Sequence, residues 1–255
     1  MKHHFQLLTT SLVFLLCCFF ATALTAEAET DSKHDDWKFG GAAYLWAAGV
    51  KGTSMAGDEI DVSFSDVLGD LDGGLMGILS AQKGKWTLLA NIIYLSIHQE
   101  TSSNANFVGV PTKFDIDAKM KGYISTFGVA YRAVDKDLAS LDLLVGARYF
   151  KLDLDLDAEI AGSMTKYSDS EDVLDGIIGA QVLFDLSDRW YFSLYADVGV
   201  GDSKLTWQVW PGVGYRLDKV ELVAGYRHLA WETDEGDTIE DINFSGPMFG
   251  IKFRF

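Results

Sequence analysis

Apolar and polar residues alternate with a period of two through most of this chain, which restricts it to sheet structure with one apolar face. Trp190, Phe192, Leu194, Ala196 and Val198 share one face of a segment, with Tyr191, Ser193, Tyr195, Asp197 and Gly199 on the other. Leu141, Leu143, Val145, Ala147 and Tyr149 alternate in the same way with Asp142, Leu144, Gly146, Arg148 and Phe150. Trp207, Val209, Pro211, Val213 and Tyr215 alternate with Gln208, Trp210, Gly212, Gly214 and Arg216. The final segment sets Phe249, Ile251, Phe253 and Phe255 against Gly250, Lys252 and Arg254. Beyond Asp31 no uncharged apolar run approaches the ~18 residues of a membrane-crossing helix.

Two architectures satisfy such a pattern: a soluble sandwich or barrel, apolar inside, and a barrel in lipid, apolar outside. The aromatic residues decide between them. Trp86 and Tyr94 flank one apolar stripe, Trp190 and Phe192 open another, and Tyr149 closes a third. Aromatic residues at the ends of stripes of about 9–11 residues form the interfacial girdles of a transmembrane barrel. Glycines at 128, 146, 179, 199, 212, 214 and 225 lie on the opposite face, where they leave room for larger neighbours.

Turn chemistry gives the strand count. Short polar connections lie at Lys83-Gly84-Lys85, residues 134–140, Ser187-Asp188-Arg189 and Leu217-Asp218-Lys219. Longer or more acidic ones span residues 50–72, 99–112, 158–170 and 232–241, with a tight one at 201–204. Four short turns and five outer connections make ten antiparallel strands, or eight if the tight connection does not form. The fold expected is therefore all-β, a single antiparallel transmembrane β-barrel over residues 37–255.

The first residues read as an address. Met1-Lys2-His3-His4 is a basic start, residues 12–20 are apolar, and small residues at 23–28 offer cleavage sites, so residues 1–26 are expected to be a removed signal peptide. Residues 27–36 form a polar periplasmic tail. Both cysteines, Cys17 and Cys18, fall in the discarded segment, so the mature chain has no disulfide. The net charge of −16 argues against a nucleic-acid partner.

Near the C-terminus, Gly225-Tyr226-Arg227-His228-Leu229 and Gly246-Pro247-Met248-Phe249-Gly250-Ile251-Lys252-Phe253-Arg254-Phe255 resemble the ends of proteobacterial outer-membrane β-barrel proteins. Trp37, Tyr44-Leu45-Trp46, Val62-Ser63-Phe64-Ser65-Asp66-Val67-Leu68 and Gly212-Val213-Gly214-Tyr215-Arg216 are also similar to segments of that group. The resemblance implies a bacterial outer-membrane location, with lipid and lipopolysaccharide as surroundings. It also implies that the barrel-assembly machinery reads Phe249, Ile251, Phe253 and Phe255. No motif in it carries an activity.

Candidate functional residues sort by face. Arg132, Asp142, Arg148, Asp175, Asp197, Arg216, Glu221, Arg227, Lys252 and Arg254 fall on the lumen side, as either a self-neutralising network or the lining of a narrow pore for ions or small solutes. An Arg or Lys on the lipid face near the midplane would cost about 2–4 kcal/mol, which explains the sorting. Asp153, Asp155, Asp157 and Glu159 recur at every second residue and offer a divalent-cation loop. They lack the glycine and terminal Glu of an EF-hand, and solvated loop charge explains them as well. His98 and His228 near outer strand ends suggest a mouth-facing hydrolase of lipid or peptide, although Ser96-Ile97-His98 is no triad motif. Ser65 is expected to cap a helical turn in the first outer loop, as a lid or a small packed excursion. The reading favours a non-enzymatic barrel with a structural or surface-interaction role, without cofactor or resident metal. It leaves the oligomeric state open.

Overall fold

The computed structural model describes residues 36–54, 59–107, 110–160, 163–233 and 239–254. The signal peptide and nearly all of the N-terminal tail expected from the sequence, together with Phe255, lie outside them. The wall strands are β1 (Lys38–Trp46), β4 (Leu71–Lys83), β5 (Trp86–Phe107), β6 (Val110–Lys136), β7 (Ala139–Ile160), β8 (Ser163–Asp185), β9 (Trp190–Gly201), β10 (Leu205–Arg216), β11 (Val220–Glu232) and β12 (Ile239–Arg254). Each pairs antiparallel with the next, and β1 pairs with both β4 and β12, so ten strands close on themselves. Closure leaves the sheet no free edge, the condition for spanning lipid with strands. Two short strands, β2 (Gly49–Ser54) and β3 (Glu59–Val62), form a hairpin on the outer half of β12.

Eight strands are excluded because the tight connection forms. Residues 202–204 join β9 to β10, and β8 braces them: Asp202 N–H donates to the Leu174 carbonyl at 3.1 Å, and Leu174 N–H to Asp202 Oδ2 at 3.0 Å. At the opposite end the connections are two to four residues, and Gly84 takes a left-handed φ of 58° in the first.

Two expected outer connections, 99–112 and 158–170, are largely strand. β5 to β8 run 22, 27, 22 and 23 residues, against 12 for β9 and for β10. On β8 the extension, Ser163 to Asp172, has Met164 as its one aliphatic side chain, so no apolar stripe announces it. Its ladder is held by β7, where Leu152, Leu154 and Leu156 keep the period. The outer part of these four strands therefore stands beyond the rest of the barrel.

The helix of the first outer connection, α1 (Phe64–Gly69), is capped by Ser63 rather than Ser65. Ser63 Oγ accepts from Asp66 N–H at 3.4 Å and Asp66 Oδ2 from Ser63 N–H at 3.2 Å, a reciprocal box that Ser65 has no acid positioned to complete.

The alternation is realised as apolar outside and mixed inside. Leu75, Leu79, Val145, Ile178, Val200 and Phe249 are all more than half exposed in the isolated chain. Trp86–Tyr131 and Trp190–Tyr215, each with centroids 4.8 Å apart, ring one border of this belt. Tyr94, Tyr123 and Tyr149 mark the other, Tyr94 directly opposite Tyr123. Trp86 and Tyr94 are eight residues apart on β5, which at ~3.4 Å per residue and ~40° tilt gives a belt about 20 Å tall.

Candidate functional site

The described inward side chains meet in the middle of the barrel. Arg148 on β7 donates from one terminal nitrogen to Asp197 Oδ2 on β9 at 2.5 Å and from the other to Thr206 Oγ1 on β10 at 3.0 Å. Gln208 Nε2 donates to the same Asp197 oxygen at 3.2 Å, and its Oε1 accepts from Arg227 Nε on β11 at 2.7 Å. Arg227 continues to Tyr44 Oη on β1 at 3.2 Å, and Tyr44 donates to Asn91 Oδ1 on β5 at 2.7 Å. This chain of contacts runs round the inside of the barrel and joins six strands, β7, β9, β10, β11, β1 and β5. Arg148, Asp175 and Arg227 have no solvent exposure.

Aromatic packing surrounds the charges. The Arg227 guanidinium lies 4.6 Å from the Trp46 ring, and Arg148 lies 5.9 Å from Trp231. Asp175 accepts from Trp231 Nε1 at 3.2 Å and from Ser203 N–H at 3.0 Å. Towards the loop end Trp46, Ile93, Ile124, Phe150, Leu229, Trp231, Ile242 and Met248 form one buried apolar cluster, with Phe150 and Trp231 5.0 Å apart. A small barrel is filled by its own side chains in this way.

A second polar layer lies nearer the short turns. Arg132 forks onto Asp142, Arg216 donates to Asp185 Oδ1 at 2.6 Å, and Lys252 approaches Glu221 at 3.4 Å. Tyr191 donates to Glu221 Oε2 at 2.7 Å, and its ring lies over Gly214, where an added Cβ would fall inside it. Gly214→Val will therefore evict Tyr191 and lower the barrel's stability by about 1–3 kcal/mol, read in urea titrations of the folded protein. Below this layer a cavity of about 530 Å³, lined by Gln82, Arg132, Asp185 and Arg216 among others, opens at the turn end.

Of the charges sorted to the lumen from sequence, Arg148, Asp197 and Arg227 join one network, and Asp175 adjoins it. Arg132–Asp142, Arg216–Asp185 and Lys252–Glu221 are separate pairs. Arg254 pairs by backbone with Gly40, and its side chain lies outside the described residues. The sequence reading missed Tyr44, Asn91, Thr206, Gln208 and Asp185. Gln208 was visible as a face-mate of Arg216, but a neutral residue gives no reason to select it.

Asp153, Asp155, Asp157 and Glu159 do not form a loop. They lie along β7, and the three described side chains point away from the lumen because Leu152, Leu154 and Leu156 take the inner face. Among the described residues their carboxylates do not gather into one ligand set. Each has its own neighbour instead: Ser170 Oγ donates to Asp153 at 2.6 Å, Ser168 Oγ to Asp155 at 2.6 Å, and Lys166 pairs with Asp157 at 2.6 Å. The Ser170 bond and the Lys151 ammonium at 2.9 Å hold the Asp153 carboxyl below the ordinary carboxylate range.

Neither histidine faces the mouth. His228 points outward from β11, bonds Ser245 Oγ at 2.6 Å and stacks on Trp207 at 4.5 Å. His98 points outward from β5, above the Tyr94 border. Phe249, Ile251 and Phe253 lie exposed on the outer face of β12.

No protein-family model matches the chain, and no curated protein matches it in sequence. Among solved structures it is similar to the outer membrane protease OmpT from Escherichia coli, at 9% identity over 89% of this chain and 99% of that one, with a TM-score of 0.54. The translocator domain of the autotransporter NalP from Neisseria meningitidis follows at 12% identity, 97% and 98% coverage and a TM-score of 0.45. Ail from Yersinia pestis gives 15% identity, 87% and 99% coverage and 0.35. At such identity the OmpT likeness establishes a shared barrel fold and says nothing of chemistry.

Proposed function

We propose that this chain is an integral barrel of a Gram-negative outer membrane that does not conduct, and that it serves at the cell surface through its β5–β8 extension. The observation that carries this reading is the Arg148–Asp197–Gln208–Arg227–Tyr44–Asn91 chain inside the barrel, whose Arg148 and Arg227 have no solvent exposure, backed by the Trp46–Phe150–Trp231 cluster. A permeating ion would have to displace fully buried guanidinium groups and their partners. The apolar belt supports placement in lipid, with lipopolysaccharide around the outer aromatic border. On the same reading residues 1–26 direct export and are removed, and the exposed Phe249, Ile251 and Phe253, with Phe255, are read during assembly.

Planar-bilayer recording of the purified barrel tests the closed lumen. The expected trace shows no resolved steps; reproducible single-channel steps would sink this proposal. They would favour a narrow channel instead, for which the cavity of about 530 Å³ at the turn end supplies one vestibule.

A further inference from the structure

The outward face of the β5–β6 hairpin brings together three ligand side chains that no lumen function uses. His98, Glu100 and Asp117 place one imidazole nitrogen and two carboxylate oxygens within 4.8 Å of one another. His98 Nε2 lies 3.0 Å from Asp117 Oδ1 and 3.5 Å from Glu100 Oε1. An ion with metal–ligand bonds of about 2.0–2.2 Å holds adjacent ligand atoms about 3–3.5 Å apart, so the two spacings from His98 match the edges of a coordination shell.

The charges around the triad point the same way. Glu100 and Asp117 are directly opposed in the ladder, and Asp117 is opposed again by Asp157 on β7, so three carboxylates stand abreast on three strands. Like charges in directly opposed positions destabilise a sheet. Lys166 answers Asp157 at 2.6 Å, and Lys119 approaches the other oxygen of Asp117, Oδ2, at 3.4 Å. The Asp117 oxygen nearest His98 and the Glu100 carboxylate are left facing the imidazole. A cation there neutralises the pair.

We propose that His98, Glu100 and Asp117 bind one divalent transition cation of the Zn²⁺ class. An imidazole in the set disfavours Ca²⁺ and Mg²⁺, which take oxygen ligands, and suits Zn²⁺. The side chains are 26%, 74% and 36% exposed, which gives an ion a path in and leaves coordination positions for water or an anionic headgroup oxygen. The site does not depend on whether the lumen is closed. The sequence hid it, because His98 and Glu100 meet Asp117 only through strand register, and no spacing motif joins them.

The experiment is calorimetric titration of Zn²⁺ into the folded full barrel in detergent, with Ca²⁺ and Mg²⁺ in parallel. A high-affinity Zn²⁺ site is expected, weakened about tenfold or more in His98→Ala and in Asp117→Asn. Both variants should keep the wild-type gel shift between boiled and unboiled samples. Co²⁺ bound to the wild-type protein should show a visible spectrum with an imidazole ligand, and this decides the matter if a variant fails to fold. Absence of Zn²⁺ binding by the wild-type barrel, equal binding by His98→Ala, or a Co²⁺ spectrum without an imidazole ligand would each overturn the proposal.

Discussion

Asp197→Ala will destabilise the folded barrel by about 3–5 kcal/mol, the cost of leaving a buried charge without its partner. Asp197 accepts from both Arg148 and Gln208, and Arg148 has no solvent exposure, so its charge has no water to turn to. The loss will appear as a lower urea midpoint for the barrel folded in lipid vesicles. The pair itself is another matter. Removing both charges with residues of similar volume, Arg148→Met with Asp197→Leu, should cost much less than Asp197→Ala alone, because two desolvation penalties vanish together. A double variant as damaged as the single one would mean that packing at this level, rather than charge, supports the barrel.

The second large effect lies on the opposite face. Val145→Arg will lower the stability of the membrane-folded barrel by about 2–4 kcal/mol, and Ile178→Arg will do the same. Both valine and isoleucine sit more than half exposed between the aromatic borders, so in lipid each new guanidinium meets hydrocarbon. A barrel in water would show nearly no change at either position. Lys121, two rungs beyond Phe127's neighbour Ser125 on the same outward face, gives the contrast: it already carries a charge, and Lys121→Ala should shift the midpoint by under about 0.5 kcal/mol.

The wall of this molecule was legible because its cause is local. Alternation along β7, β9, β10 and β12 assigns each side chain a face before any pairing is known, and lipid forbids charge on one of them. Arg148 and Asp197 could thus be placed inside from sequence. That they meet each other, 49 residues apart, depends on the register of β7, β8 and β9, which no single strand encodes. The outer hairpins were misread for a related reason. Ser163 to Asp172 has no apolar stripe, and only its partner's Leu152, Leu154 and Leu156 keep it in the sheet. The acidic run along β7 is legible as the outward face of a projecting strand, because Leu152, Leu154 and Leu156 alternate with it; its Ser168, Ser170 and Lys166 partners come from β8 and are set by register. His98 and Glu100 are alternate residues of β5, and only the β5–β6 register, which neither strand encodes alone, adds Asp117 to them.

A barrel in lipid requires first that its apolar belt face hydrocarbon rather than water or a protein core. Expression of the full chain in a Gram-negative host, followed by membrane separation and carbonate washing, tests this directly. The predicted result is recovery in the outer-membrane fraction, release only by detergent, and faster migration on gels before boiling than after. Recovery of the exported chain as a soluble monomer without detergent would contradict it.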